Sequence, residues 1–221
     1  MRARTKKYQA YEAIKKMIMS HRISYEEPMT ELRLSKVLLI GRTPIREALN
    51  LLSRDGLITL IPNRGFILNQ IKNEDLVHIY RIREALDPVA TRHAAAAIEL
   101  SKLQEIEMKY LNSSKDDWEN GREFSNELHT LIYKSCGNPY LVGIFENLIM
   151  KIQLSRSSLW EFWSRSGDTS SVERRYQEHM EIIRLLKKRD AEGAEKVSKT
   201  HISRTIQDIV RQVVGDNTAQ V

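Results

Sequence analysis

The 221-residue sequence contains one cysteine, Cys136. A single thiol excludes an intramolecular disulfide and any zinc site built from several cysteines. Its expected role is that of a small buried hydrophobe. No run of 18 or more apolar residues occurs, so no membrane-spanning helix is expected. The N-terminus, MRARTKKYQAYEAIKKM, is basic but lacks the apolar segment and small-residue cleavage site of a secretory signal. These absences point to a cytoplasmic protein with no membrane partner. No strand-like alternation follows Asn73, so the last two thirds are expected to hold no sheet. Neither HExxH nor HxH is present, so histidine spacing alone does not announce zinc.

Hydrophobic residues make up 41% of the chain, enough for a substantial core. Charge is unevenly spread. The first 72 residues carry 14 Lys and Arg against 6 Asp and Glu, a charge of +8, and the remainder carries −2, so the net +6 arises from the first third. A basic small domain joined to a near-neutral larger one suggests nucleic acid at one end and another task at the other. A basic membrane-surface helix could give similar asymmetry, but here the cations are dispersed over several short elements.

The organising stretch is Gly41 to Leu52, GRTPIREALNLL. Thr43 is placed to cap a helix and Pro44 to occupy its first position. Ile45, Leu49 and Leu52 recur at i, i+4 and i+7, giving one apolar face. Arg42 and Arg46 lie off that face at the helix entrance, as a major-groove reader requires. An ordinary surface helix can carry the same pattern, so the flanks decide. Upstream, Tyr8 to His21 reads as a helix with Tyr11, Ile14, Met17 and Ile18 inward. Thr30 is placed to cap a second helix, with Leu34, Val37 and Leu38 inward. About four residues then lead into the organising stretch, the spacing of a helix-turn-helix. Downstream, Asp55-Gly56 is a helix stop. Residues 57–60 and 65–68 read as two short strands around the turn Ile61-Pro62-Asn63-Arg64. Three helices followed by a hairpin is the winged helix-turn-helix order.

These residues resemble the DNA-binding domain of the GntR family of bacterial transcription regulators. The matching pieces are Met29-Thr30-Glu31-x-x-Leu34-Ser35, Arg42-Thr43-Pro44-Ile45-Arg46-Glu47-Ala48-Leu49, Leu52-x-x-Asp55-Gly56-Leu57 and Pro62-Asn63-Arg64-Gly65-Phe66. Gly41 departs from the family, which commonly has serine before the arginine. The resemblance implies that Arg42 and Arg46 reach the major groove, one or both to guanine edges, and that Thr43 positions the helix on phosphate. It places Arg64 and Gly65 at the wing tip near the minor groove, with Arg33 a further candidate on the second helix. Lys6, Lys7 and Lys36 would only add to the field.

From Asn73 the chain reads as successive helices. The first runs into the alanine run Ala94–Ala97, with Leu76, Ile79, Tyr80, Leu86 and Ala90 inward and Pro88 expected to kink or break it. Others are expected over 101–111, 119–135, 140–163, 172–188 and, capped by Asp190, 191–214. The expected fold is therefore mainly α: a winged helix-turn-helix over residues 1–71 and an all-helical antiparallel bundle over 72–221.

His129, His179 and His201 each fall on an inward or nearly inward face, on three different helices. By spacing alone they read as buried histidines bonded to neighbours. The region, however, is similar to the FCD ligand-binding domain of the FadR-like subfamily. The resemblance rests on Arg83-x-x-Leu86-Asp87, His129-x-x-x-Tyr133-x-x-x-Gly137-Asn138-Pro139, Glu178-His179, and Arg189-Asp190-x-x-x-Ala194 leading to His201. It implies a divalent metal, zinc, nickel or manganese, held by the three histidines and an Asp or Asn. Ser125 occupies the usual position of that fourth ligand and is a poor one, with Asn126 one residue off the pattern. Such a metal anchors a small carboxylate effector and is not catalytic. Arg83 would pair with the effector's acid group or, alternatively, bridge to Asp87. Arg156 and Arg175 are candidate secondary contacts to the effector but are expected mainly at the surface, and Trp160, Phe162 and Trp163 in core or dimer contacts.

The expected function is a homodimeric, effector-responsive regulator, a repressor in the commoner case, on a palindromic double-stranded operator. One alternative is a DNA-binding dimer whose helical domain has lost metal and effector. A remote one is a metal-dependent hydrolase, which would lack a general base, since Glu178 points off the His179 face, and would leave the basic third unexplained.

Overall fold

The computed structural model describes residues 5–20, 22–23, 25, 27–112, 118–166 and 170–218, with side chains described for all of these except 19, 73, 118–122, 156–166 and 212–218. The elements are α1 (Lys6–Met19), α2 (Glu31–Leu38), α3 (Arg42–Arg54), β1 (Ile58–Ile61), β2 (Gly65–Leu68), α4 (Asn73–Ala97), α5 (Leu100–Asn112), α6 (Trp118–Ser135), α7 (Pro139–Ser166), α8 (Ser170–Lys187) and α9 (Ala191–Thr218). They fall into two compact units, Met1–Ile71 and Lys72–Val221. No described helix is long and apolar enough to cross a membrane.

In the first unit, Thr30 caps α2 by accepting a hydrogen bond from the Arg33 amide at 3.2 Å. Leu39 then turns the chain with a left-handed φ of 54°, and the Ser35 hydroxyl donates to the Ile40 carbonyl. The third helix begins two residues earlier than the sequence suggests. Gly41 is its N-cap and makes no side-chain cap bond, so Thr43 and Pro44 sit inside the first turn. Pro44 is still tolerated there, because the first amides of a helix have no intrahelical partner to lose. Gly56, with φ 75°, ends α3, and the amides of Gly56 and Leu57 return to the carbonyls of Ser53 and Leu52. Ile14, Ile18, Leu34, Ile45, Leu49, Leu52, Leu57 and Phe66 form the core. Val37, expected inward, is exposed: the eight-residue α2 buries Leu34 and half-buries Leu38 but turns Val37 to solvent. β1 and β2 pair antiparallel, Ile58 opposite Leu68 and Ile61 opposite Gly65. Met29 adds a single bridge to Phe66, tying the chain before α2 to the wing.

The second unit is all helical. α4 opens with the Lys72 amide donating to the Asp75 carboxylate, so Asn73 is its first residue and not its cap. α4 continues through Pro88 without a break. α9 lies antiparallel on α4, joined by Arg92–Glu195 and by Thr91 Oγ1–Ser198 Oγ, while Arg189, in the turn before α9, donates to the Ala95 carbonyl. Asp190 starts α9 by accepting from the Gly193 amide. Gly137, at φ 73°, separates α6 from α7. α7 runs three residues beyond the expected end, and the side chains of Arg156, Trp160, Phe162 and Trp163 lie outside those described. Cys136 is buried and unpaired as a thiol.

Candidate functional site

The first unit presents a polar face on α3. Ile45, Ala48, Leu49 and Leu52 are turned into the core, which leaves Arg42, Thr43 and Arg46 exposed at the start of the helix. The two arginines meet a partner the sequence did not suggest. Glu31, first residue of α2, accepts from Arg46 Nε at 2.6 Å and from Arg46 Nη2 at 2.9 Å, and lies 3.8 Å from Arg42 Nη2. The hydrogen bond from Arg46, aided by both positive charges, holds the Glu31 carboxyl below its ordinary pKa. Arg33 is turned to Glu27 at 2.9 Å. Arg64 is exposed in the hairpin turn. Gly65 has φ 102°, and a Cβ there would come within 2.3 Å of the Met29 carbonyl oxygen, so the bridge to Met29 itself demands glycine.

The second unit brings His129 of α6, His179 of α8 and His201 of α9 together, all buried, with one ligand nitrogen from each within 4.8 Å of the others. The Nε2 atoms of His179 and His201 are 3.1 Å apart. Each Nδ1 faces an outer oxygen. Tyr110 Oη is 2.9 Å from His179 Nδ1, Glu178 Oε2 is 2.8 Å from His201 Nδ1, and Asp87 Oδ2 is 3.3 Å from His129 Nδ1. Oxygens that fix the outer nitrogen of an imidazole orient the inner one, as around protein-bound metals. Burial pushes the His201 pKa down, against the opposing pull of Glu178, so its imidazole is held neutral and keeps a lone pair. Two imidazole Nε2 atoms at this separation share one proton or converge on one cation. Glu178 does leave the His179 face, yet the same turn delivers it to His201 on the neighbouring helix.

A buried charge network surrounds the triad. Arg83 donates twice to Asp87, from Nη2 at 2.6 Å and from Nε at 3.3 Å, and Tyr133 donates to Asp87 Oδ1 at 2.7 Å. Both Arg83 and Asp87 are about 1% exposed. Burial acts against the guanidinium, but its polar neighbours, Asp87 first among them, together raise the Arg83 pKa. Thus the Asp87 bridge is present, and Arg83 sits within the network of the triad. Arg175 departs from expectation: it is buried, donating to Asp208 at 2.9 Å. Its partner lies 33 residues away on another helix, which local spacing cannot reveal. Ser125 is half-buried, and Asn126 lines a groove of about 920 Å³ between α5 and α6 together with Lys109 and Lys134.

A winged helix with outward arginines at the entrance of its third helix, followed by a helical unit built around a polar interior, defines a two-part DNA-binding regulator. Residues 6–68 match the model of the bacterial regulatory proteins of the gntR family, and residues 78–204 match that of the FCD domain. The chain belongs to the GntR family, in its FCD-containing branch, and is a DNA-binding transcription regulator and not an enzyme. It is 27% identical over 201 residues to the uncharacterized HTH-type transcriptional regulator YdhC of Bacillus subtilis (strain 168), over 88% of this chain and 87% of that one. It is 25% identical over 214 residues to the HTH-type transcriptional repressor RspR of Escherichia coli (strain K12), over 95% and 91%. The solved structure of E. coli McbR/YncC shares the fold, with a TM-score of 0.75 at 19% identity, over 96% of this chain and 100% of that one.

Proposed function

We propose that this regulator is a homodimeric repressor that binds a two-fold symmetric operator and releases it when a small carboxylate occupies the helical unit. Residues 1–71 read DNA and residues 72–221 bind effector and pair the subunits. Arg42 and Arg46 take guanine edges, Thr43 a phosphate, Arg64 and the Gly65 backbone the minor groove, and Arg33 an outer phosphate. Binding to DNA exchanges the Glu31–Arg46 pair for base contacts. Relatives named as repressors, RspR among them, favour repression. Ile82 and Val89, two turns apart on α4, leave exposed apolar surface on the helical unit, which suits a subunit contact.

The sensing reading rests chiefly on one observation: three buried imidazoles converge while Asp87, Tyr110 and Glu178 hold their outer nitrogens. His129, His179 and His201 fit a divalent ion, and three imidazoles suit zinc or nickel, with manganese a harder alternative. When bound, the metal supplies open positions for a carboxylate. The residues around it hold the imidazoles oriented and add guanidinium charge nearby, Arg83 above all. Ser125 offers only a weak oxygen, which leaves a coordination position for effector or water.

The test is selection of bound sequences from random duplexes by the full-length protein, with mass by light scattering. A symmetric motif with half-sites about one helical turn apart, bound by a dimer, is expected. A monomer on an asymmetric site would overturn the dimeric reading.

A further inference from the structure

One turn before His179 on α8, the helical unit gathers a pair of guanidiniums. Arg174 and Arg175 both donate to one oxygen, Oδ2 of Asp208. Two guanidiniums therefore converge on one carboxylate oxygen. The buried Nε of Arg174 has no hydrogen-bond partner among the described residues, with Glu178 Oε1 3.8 Å away and itself engaged by His201 and Arg204. Burial pulls the Arg175 pKa below its ordinary value despite Asp208, so the acid does not fully offset the desolvation. The cluster also belongs to the surroundings of the triad. Arg83 and Arg175 both act electrostatically on His201, and both face Tyr80. His179 and Arg175 share one face of α8, about 6 Å apart along the axis from four residues of rise.

We propose that Arg175, with Arg174, forms a second anion subsite beside the triad, so that the effector is a dicarboxylate of about four to six carbons. This rests on the reading of the triad as a carboxylate anchor. One acid group sits at the triad and the other replaces Asp208 on the paired guanidiniums. A planar carboxylate can accept two parallel hydrogen bonds from such donors. A monocarboxylic acid leaves the second subsite to Asp208. The internal carboxylate thus competes with the ligand, and neutralising it strengthens binding.

The experiment is calorimetric titration of the full-length, zinc-loaded protein with acetate and lactate against succinate and malate. The diacids are expected to bind at least about tenfold more tightly. In Arg175→Gln the diacid advantage disappears, and in Arg175→Lys it is partly kept. Asp208→Asn raises diacid affinity severalfold without raising that of acetate. If the cluster merely ties α8 to α9, Asp208→Asn lowers the melting temperature and gains no affinity, which overturns the proposal. Equal binding of mono- and diacids by the wild type also overturns it while leaving the carboxylate anchor intact. Failure of every acid to bind removes the anchor reading as well. Should Arg175→Gln not fold, the sign of the Asp208→Asn effect decides.

Discussion

Replacing Arg83 by methionine tests whether the helical unit is built around a coupled buried ion pair. Arg83 and Asp87 are both about 1% exposed, with Nη2 and Oδ2 2.6 Å apart. Removing the guanidinium leaves Asp87 with one hydrogen bond, from Tyr133, and with His129 Nδ1 at 3.3 Å. Breaking one partner of such a pair costs about 3–5 kcal/mol, mostly from the stranded charge. Tyr133 persists, so the lower half of that range is expected for Arg83→Met. Asp87→Asn strands the guanidinium instead and costs a similar amount. In the double variant no charge remains, and the asparagine oxygen still accepts from Tyr133. Its cost should fall to about 1–2 kcal/mol, since uncharged replacements of buried pairs are often close to neutral. The singles together exceed the double by several kcal/mol, well beyond the few tenths expected of independent sites. Urea unfolding of the four proteins at pH 7, with constant m-values, measures this. Additive losses would refute the coupled-pair argument.

Other perturbations have equally definite outcomes. Arg46→Ala should weaken a selected operator by roughly tenfold to a hundredfold and spare nonspecific DNA; an equal loss on both makes Arg46 a phosphate contact. Glu31 has a depressed folded pKa, so its contribution is present above the ordinary value of 4.5 and lost as pH falls through the lower folded value. Wild type and Glu31→Gln should therefore differ in melting temperature at pH 7 and converge under acid; a constant difference contradicts this. Gly65→Ala forces a Cβ against Met29 at φ 102° and should destabilise the winged unit by about 1–3 kcal/mol or more, read by thermal melting. His179→Ala should lose metal, measured by elemental analysis, while retaining operator affinity. An unfolded variant would instead mark His179 as structural.

Much of the fold was legible because its signals are local. Thr30, Gly56, Gly137 and Asp190 mark helix ends within a few residues of sequence, and all four act there. Gly41 and Thr43 show the limit: a backbone N-cap without side-chain help moved the start of α3 two residues upstream. Val37 fits an apolar stripe, but α2 turns it to solvent. The inward faces of the three histidines follow from helical spacing, whereas their convergence joins residues up to 72 positions apart and came only through family resemblance. The outer oxygens were not readable. Asp87, Tyr110 and Glu178 reach the imidazoles across helix pairs, and no spacing rule links them. Arg175 was expected at the surface because arginines are rarely buried without a partner, and Asp208 is invisible from its neighbourhood. Glu31 was seen only as part of a family motif, not as the clasp of Arg46.

The most direct test of the account is fluorescence anisotropy of a selected operator with the full-length protein, with and without a small dicarboxylate, before and after chelation. The account predicts that the acid lowers operator affinity by about 5- to 150-fold in the metal-loaded protein, that operator weakens acid binding by the same factor, and that chelation abolishes both effects. Operator affinity unchanged by any acid in the metal-loaded protein would contradict it.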